Sequence, residues 1–180
     1  MSRLGKVLLP ILLLLVACSF SSEEILDSSR PAEHPDMELI KSRYLFSQGE
    51  ILPLVIVADK IEIYKDYDKA YITNGSFQQY DSDGSLLFSG YFEMAEIETA
   101  TNDLEMEGKV KVTNHRDNFT IEGENLHWNN SEKIVSGDEE TLVTLIKDEH
   151  DILEGLGFTG DLETSTFEFL KMERGHLHYD

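Results

Sequence analysis

The chain has 180 residues, with 35 acidic against 15 basic side chains and a formal charge of −20. That balance argues against nucleic-acid binding, which needs a basic surface to displace counterions, and against docking flat on anionic lipid. The length suits one domain, and the only cysteine, Cys18, rules out a disulfide within the chain.

At the N-terminus Arg3 and Lys6 precede a run from 7 to 16 that is apolar except for Pro10. The run is half the ~20 residues that span a bilayer as a helix, so it reads as an export signal. Leu15-Val16-Ala17-Cys18 follows it. Small or apolar residues directly before a cysteine suit a lipoprotein signal peptidase, and the Cys18 thiolate is the group that takes a diacylglycerol. The expected organisation is a signal peptide over 1–17, a lipidated Cys18 with a flexible tether over 18–44, a folded domain over 45–175 and a tail over 176–180. An acyl anchor holds a chain on a membrane without a span, because each buried methylene contributes ~0.8 kcal/mol.

From about position 45 short apolar or alternating segments recur. They cover 51–64, 69–73, 76–80, 86–97, 104–107, 109–113, 118–123, 125–128, 133–135, 141–146 and 166–172. Period-two alternation is plain in Lys109-Val110-Lys111-Val112 and Phe119-Thr120-Ile121-Glu122, which gives each strand one apolar face. Turn residues fall between, at Thr73-Asn74-Gly75, 81–84, 129–131 and 136–138. The reading is all-β: an open, twisted β-jelly roll built from repeated antiparallel strand pairs. A repeat supports it. Ala58-Asp-Lys-Ile61, Phe92-Glu-Met-Ala95 and Gly123-Glu-Asn-Leu126 share a form, each followed by a polar turn, a second strand and a glycine (Gly75, Gly108, Gly137). A looser fourth copy runs from Gly160 to Gly175. Hairpins of this size bury an apolar face only by stacking.

Alternation places Ile61, Ile63, Ala95, Ile97, Leu126 and Trp128 on one face, with Val110, Val112, Phe119, Ile121, Leu104 and Met106 as matching rows on the return strands. Taken alone, these residues read more simply as a filled core than as a ligand site.

Little points to chemistry. Gly155-Leu-Gly157-Phe-Thr-Gly160 matches the dinucleotide fingerprint in letters only, since too little chain follows for a βαβ unit; it reads as a β-bend. His176 and His178 are too few for a closed metal site, and His34, His115, His127 and His150 have no partner at ligand spacing. There is no nucleophile elbow, and the sequons at Asn74, Asn118 and Asn129 read as turns. No catalytic residue, metal or cofactor is expected.

Four stretches, in this order and spacing, resemble the LptC family: Val57-Ala-Asp-Lys-Ile-Glu-Ile-Tyr64, Gln79-Tyr-Asp-Ser-Asp-Gly84, Leu104-Glu-Met-Glu-Gly-Lys-Val-Lys-Val112 and Gly155-Leu-Gly-Phe-Thr-Gly-Asp-Leu162. The resemblance implies an OstA-like jelly roll whose groove shelters the acyl chains of lipopolysaccharide or a related glycolipid. It also implies passage from an inner-membrane ABC transporter to an LptA-like carrier. In that light the groove lining is Ile61, Ile63, Ala95, Ile97, Leu104, Met106, Val110, Phe119, Ile121, Leu126 and Trp128. Phe167, Phe169 and Met172 on the last strand would meet the next jelly roll. One departure is the lipobox, which replaces the family's usual N-terminal membrane helix. Ser19 after Cys18 is not the aspartate that often retains enteric lipoproteins at the inner membrane. The inner membrane is the expected location and the outer membrane the alternative. The alternative function is an envelope scaffold or adhesin with the same fold.

Overall fold

The computed structural model describes residues 30–31, 34–46, 54–148 and 150–177. The expected signal peptide, Cys18 and His178 lie outside the described residues.

Among the described residues ten strands form a single antiparallel sheet. They are β1 (Met37–Phe46), β2 (Leu54–Tyr64), β3 (Lys69–Tyr80), β4 (Leu86–Glu98), β5 (Asp103–Asn114), β6 (Phe119–Asn129), β7 (Ile134–Gly137), β8 (Leu142–Lys147), β9 (Asp151–Asp161) and β10 (Thr166–His176). Each strand pairs with the next in sequence up to β7. Both β7 and β8 then lie between β6 and β9, β7 along one half of those strands and β8 along the other. They act as one strand interrupted at 138–141. β1 and β10 are the sheet's edges.

A seam crosses the sheet at mid-strand. In a regular strand every second side chain faces inward. Here the inward positions jump by three: Ala58 to Ile61 in β2, Ile72 to Gly75 in β3, Phe92 to Ala95 in β4, Gly123 to Leu126 in β6, Gly155 to Phe158 in β9. The ladders bring these jumps into register, so Lys41, Asp59, Asn74, Glu93, Gly108, Asn125, the 138–141 break, Gly157 and Leu170 form one transverse row. Several members have positive φ: Lys41 (45°), Asn74 (49°), Gly108 (72°), Asn125 (55°) and Gly157 (61°). Asn and Gly tolerate that region best. At Gly108 and Gly157 a Cβ would also strike the Glu93 and Leu170 side chains, at 2.3 and 2.5 Å. Within the row only Gly108 is an extra residue against both neighbouring strands, a true bulge; like the left-handed kinks beside it, it bends its strand and re-aims the side chains. Aligned across the sheet, bulge and kinks crease it into two facing walls. The first wall ends at the turns 65–67, 99–102, 130–133 and 162–165. The second ends at 82–84 and 115–118.

The seam corrects the segmentation expected from sequence. Thr73-Asn74-Gly75 does not reverse the chain; it is a left-handed kink inside β3, paired on both sides with no extra residue. The segments 104–107 and 109–113 are one strand through Gly108, and 118–123 and 125–128 are one strand through Asn125. The repeat itself is the seam, two inward residues flanking an outward pair. Its copy in β9 sits at Gly155–Phe158, upstream of the expected Gly160. β9 is a full strand where a β-bend was expected, and β10 runs on through His176.

The sheet also starts earlier than position 45. Most of β1 lies inside the expected tether, and Arg30 and Asp36 before it pack on the outer face. Arg30 donates from Nη1 to Glu62 Oε2 at 2.9 Å and stacks 5.5 Å from the Tyr71 ring centroid. Asp36 donates its N–H to Ile63 O at 2.8 Å. This explains why Glu62 and Tyr71 are buried on the face away from the core. Glu62 also takes a hydrogen bond from Lys60, which holds that ammonium above its ordinary range. Lys69 is raised in the same way by Glu96.

Between the walls lies one apolar cluster including Ile56, Ile61, Ile72, Phe92, Phe119, Ile121, Leu126, Val143 and Phe158. It is closed under β9 and β10 by rings: Phe119–Phe167 centroids are 4.9 Å apart, Phe158–Phe169 5.1 Å and Phe158–Phe167 6.2 Å.

The turn after β9 is held by Asp161, whose carboxylate accepts the N–H of Thr164 (3.0 Å) and of Glu163 (2.9 Å). These bonds, Thr164 first, hold the carboxyl below its ordinary 3.8. A depressed folded pKa contributes stability above the ordinary value, lost as pH falls through the lowered one. Asp161→Ala is therefore expected to lower the urea midpoint at neutral pH. The gap to the parent should close as pH drops well below 3.8; a gap independent of pH would refute the turn's dependence on the ionised group.

Candidate functional site: an apolar groove between the walls

Under β1 to β7 the walls do not meet. The space left is a groove of about 910 Å³. A space of that size is far beyond a packing defect in a close-packed interior. The first wall contributes Ile63, Ile97, Leu104, Met106, Trp128, Val135 and Leu162. The second contributes Tyr44, Leu54, Ile56, Phe77, Leu87, Phe88, Phe92 and Val112. The floor is shaped by small residues. Phe92 lies across Gly75, where a Cβ would sit 2.2 Å from its ring, and Phe77 stacks on Phe92 with centroids 6.4 Å apart.

Of the lining residues expected from sequence, the structure brings Ile63, Ile97, Leu104, Met106 and Trp128 together on the groove. Ile61, Ala95, Val110, Phe119, Ile121 and Leu126 face the same interior but do not line the groove; they lie buried in the cluster around it. Ile61, Ala95, Val110 and Leu126 flank the seam and are covered there. Phe119 and Ile121 lie towards β8 to β10, where the Phe167 ring closes the interior. The second wall's Tyr44, Phe77, Leu87 and Phe88 were not expected. Their signal, alternation through 86–92 and 75–79, was present without indicating a ligand face.

The rims are polar. On the first, Lys65, Asp68, Thr99, Asn102, Asn130, Lys133 and Glu163 border the opening; on the second, Gln79 and Arg116. Lys133 donates to Asn130 Oδ1 at 2.9 Å and lies 5.8 Å from the Trp128 ring centroid, a cation–π contact of ~0.5–1 kcal/mol. In so acidic a chain these rims carry three cations against two carboxylates. Walls that carry no Asp, Glu, Lys, Arg or His among the described lining residues, under mixed-charge rims, fit a ligand with apolar chains and a polar head. Among the described residues no cluster of His, Cys, Asp and Glu is placed to hold a metal, and no helix is long and apolar enough to cross a membrane.

A family model described as "Lipopolysaccharide-assembly, LptC-related" matches residues 8–179. The chain belongs to the LptC family. No curated protein matches it. Family membership makes this LptC-family protein a component of lipopolysaccharide transport and assembly in the envelope, and its folded part is the all-β domain that the sequence implies. The residues expected at the C-terminal edge lie on β10: Phe167 and Phe169 point into the aromatic cluster, and Met172 is 47 % exposed.

Proposed function

We propose that this LptC-family protein is a non-enzymatic lipid relay. It takes the acyl chains of lipopolysaccharide, or a related glycolipid, from an inner-membrane ABC transporter into the groove. It then passes them to an LptA-like carrier, with lipidated Cys18 holding the chain on the inner membrane. The observation that carries this reading is the open apolar groove between the walls. Each methylene moved there from water contributes ~0.8 kcal/mol, so several contacts, not one residue, set the affinity. Unpaired edges at β1 and β10 suit strand addition by neighbouring domains. A relay must also release its cargo, so modest affinity suits the role and the upstream ATPase supplies direction.

The test is photocrosslinking in the living bacterium, with a photoreactive residue at Ile63, Ile97 or Trp128 and at Lys109 on the outer face as control. Glycolipid adducts are expected at the first three, absent at Lys109 and lost on ATP depletion. Protein adducts at Lys109 with no lipid at any groove position would leave the scaffold reading instead.

A further inference from the structure

The groove is open under β1 to β7 but ends at Leu162 and Glu163. Directly beyond, the walls are joined. Ser165, in the turn before β10, donates its hydroxyl to Asp117 Oδ2 at 3.3 Å. Asp117 lies in the turn between β5 and β6, on the opposite wall. Beneath that bond the Phe119 and Phe167 rings meet edge to face, again one from each wall.

The two sides of this clasp differ in the strands they belong to. Asp117 is braced: its Oδ2 also accepts from Asn114 Nδ2 at 2.9 Å, and fully buried Asn114 takes the N–H groups of Arg116 and Asp117 on Oδ1. The Ser165 turn is held by Asp161, and the left-handed Ser165 (φ 53°) is matched by Asn118 (φ 53°) beside Asp117. The difference is the strand that follows: Ser165 leads into the edge strand β10, which has a neighbour on one side only.

We propose that Asp117, Ser165, Phe119 and Phe167 form a gate that closes the groove towards the β10 edge. It opens from the β10 side, where the edge strand has one neighbour only, by parting of the Ser165 bond and withdrawal of Phe167, to let acyl chains advance. The inference rests on the relay reading and adds a closed state to it. Chains loaded under β1 to β7 stay there until β10 moves, as it would when a neighbouring strand takes its edge.

The test uses the full-length protein in the bacterium, with the photoreactive residue at Ile97 before the gate or at Leu153 behind it. Asp117→Cys with Ser165→Cys bridges the walls on oxidation. The bridged protein is expected to keep its Ile97 glycolipid adduct and lose the Leu153 adduct about tenfold, with recovery on reduction. Asp117→Ala with Ser165→Ala should raise the Leu153 adduct without any bridge. An unchanged Leu153 adduct in both variants overturns the gate. A Leu153 position that never meets lipid, while Ile97 does, also overturns the gate but leaves the relay standing. Loss of lipid at Ile97 in the parent brings down the relay and the gate with it.

Discussion

Alanine at position 90 is expected to remove about 3 kcal/mol or more of stability, at the upper end of what overpacking does. Gly90 lies in the second wall, opposite Phe77 on β3 and Val112 on β5. A Cβ there would sit 2.3 Å from Phe77 Cε1 and 2.4 Å from the carbonyl oxygen of Lys111. The ring could turn away, but only by giving up its stacking on Phe92 and protruding into the groove. The carbonyl cannot move without breaking the β4–β5 ladder. Against a typical total stability of ~5–15 kcal/mol, the loss is a large fraction. Gly175→Ala is the control: its Cβ would have no neighbour nearer than Leu153 Cδ2 at 3.4 Å, and the change should stay within ~0.5 kcal/mol. Urea unfolding of the two variants compares them directly. Equal midpoints would mean that Phe77 does not lie over Gly90, and the wall's construction would need revision.

The same close contacts show why the sequence is legible in some places and opaque in others. Strand identity is readable wherever the alternation is uninterrupted, as in Phe119-Thr120-Ile121. It fails at the seam, because an inward jump of three residues looks like a strand ending and another beginning, and Asn74 or Gly108 supplies the turn residue that completes the illusion. β1 is hidden for a related reason. Its half-buried residues are Leu39, Ser42 and Tyr44, out of phase across Lys41, while Ile40 and Leu45 face solvent. β9 is hidden because Gly155 and Gly160 leave room for the rings of Phe169 and Phe167, and glycine carries little strand signal. Yet the seam is written in the sequence as its repeat: the Ala58–Ile61, Phe92–Ala95 and Gly123–Leu126 spacings are the bend itself.

The site is legible by face but not by depth. Ile61 and Ile63 are two apart on β2 and point the same way, but Ile61 is fully buried and Ile63 borders the groove. Alternation cannot separate them, since depth depends on how far the opposite wall stands at that point. That distance is set by the crease and by Phe77, Phe88 and Phe92 on other strands.

That difference in depth yields the prediction that best separates a groove from a filled core. Leu104 lies between Ile97 and Trp128 on the first wall and is half-buried at the groove. Leu126, on the same wall, is fully buried, and Cβ positions at Gly123 and Gly137 would each lie 3.4 Å from its Cδ2. Tryptophan at 126 has nowhere to go and is expected to remove ~1–3 kcal/mol. Tryptophan at 104 can extend into open space, and filling a cavity commonly adds ~0.5–2 kcal/mol. Leu104→Trp should therefore keep or raise the urea midpoint. It should also cut the glycolipid adduct at Ile97 about tenfold, because the ring takes the room that acyl chains need and removes contacts worth ~1.4 kcal/mol or more. Stability and loading would then move in opposite directions. A loss of stability at 104 as large as at 126 would show that the walls already touch there, and a domain closed in that way could carry no lipid between them.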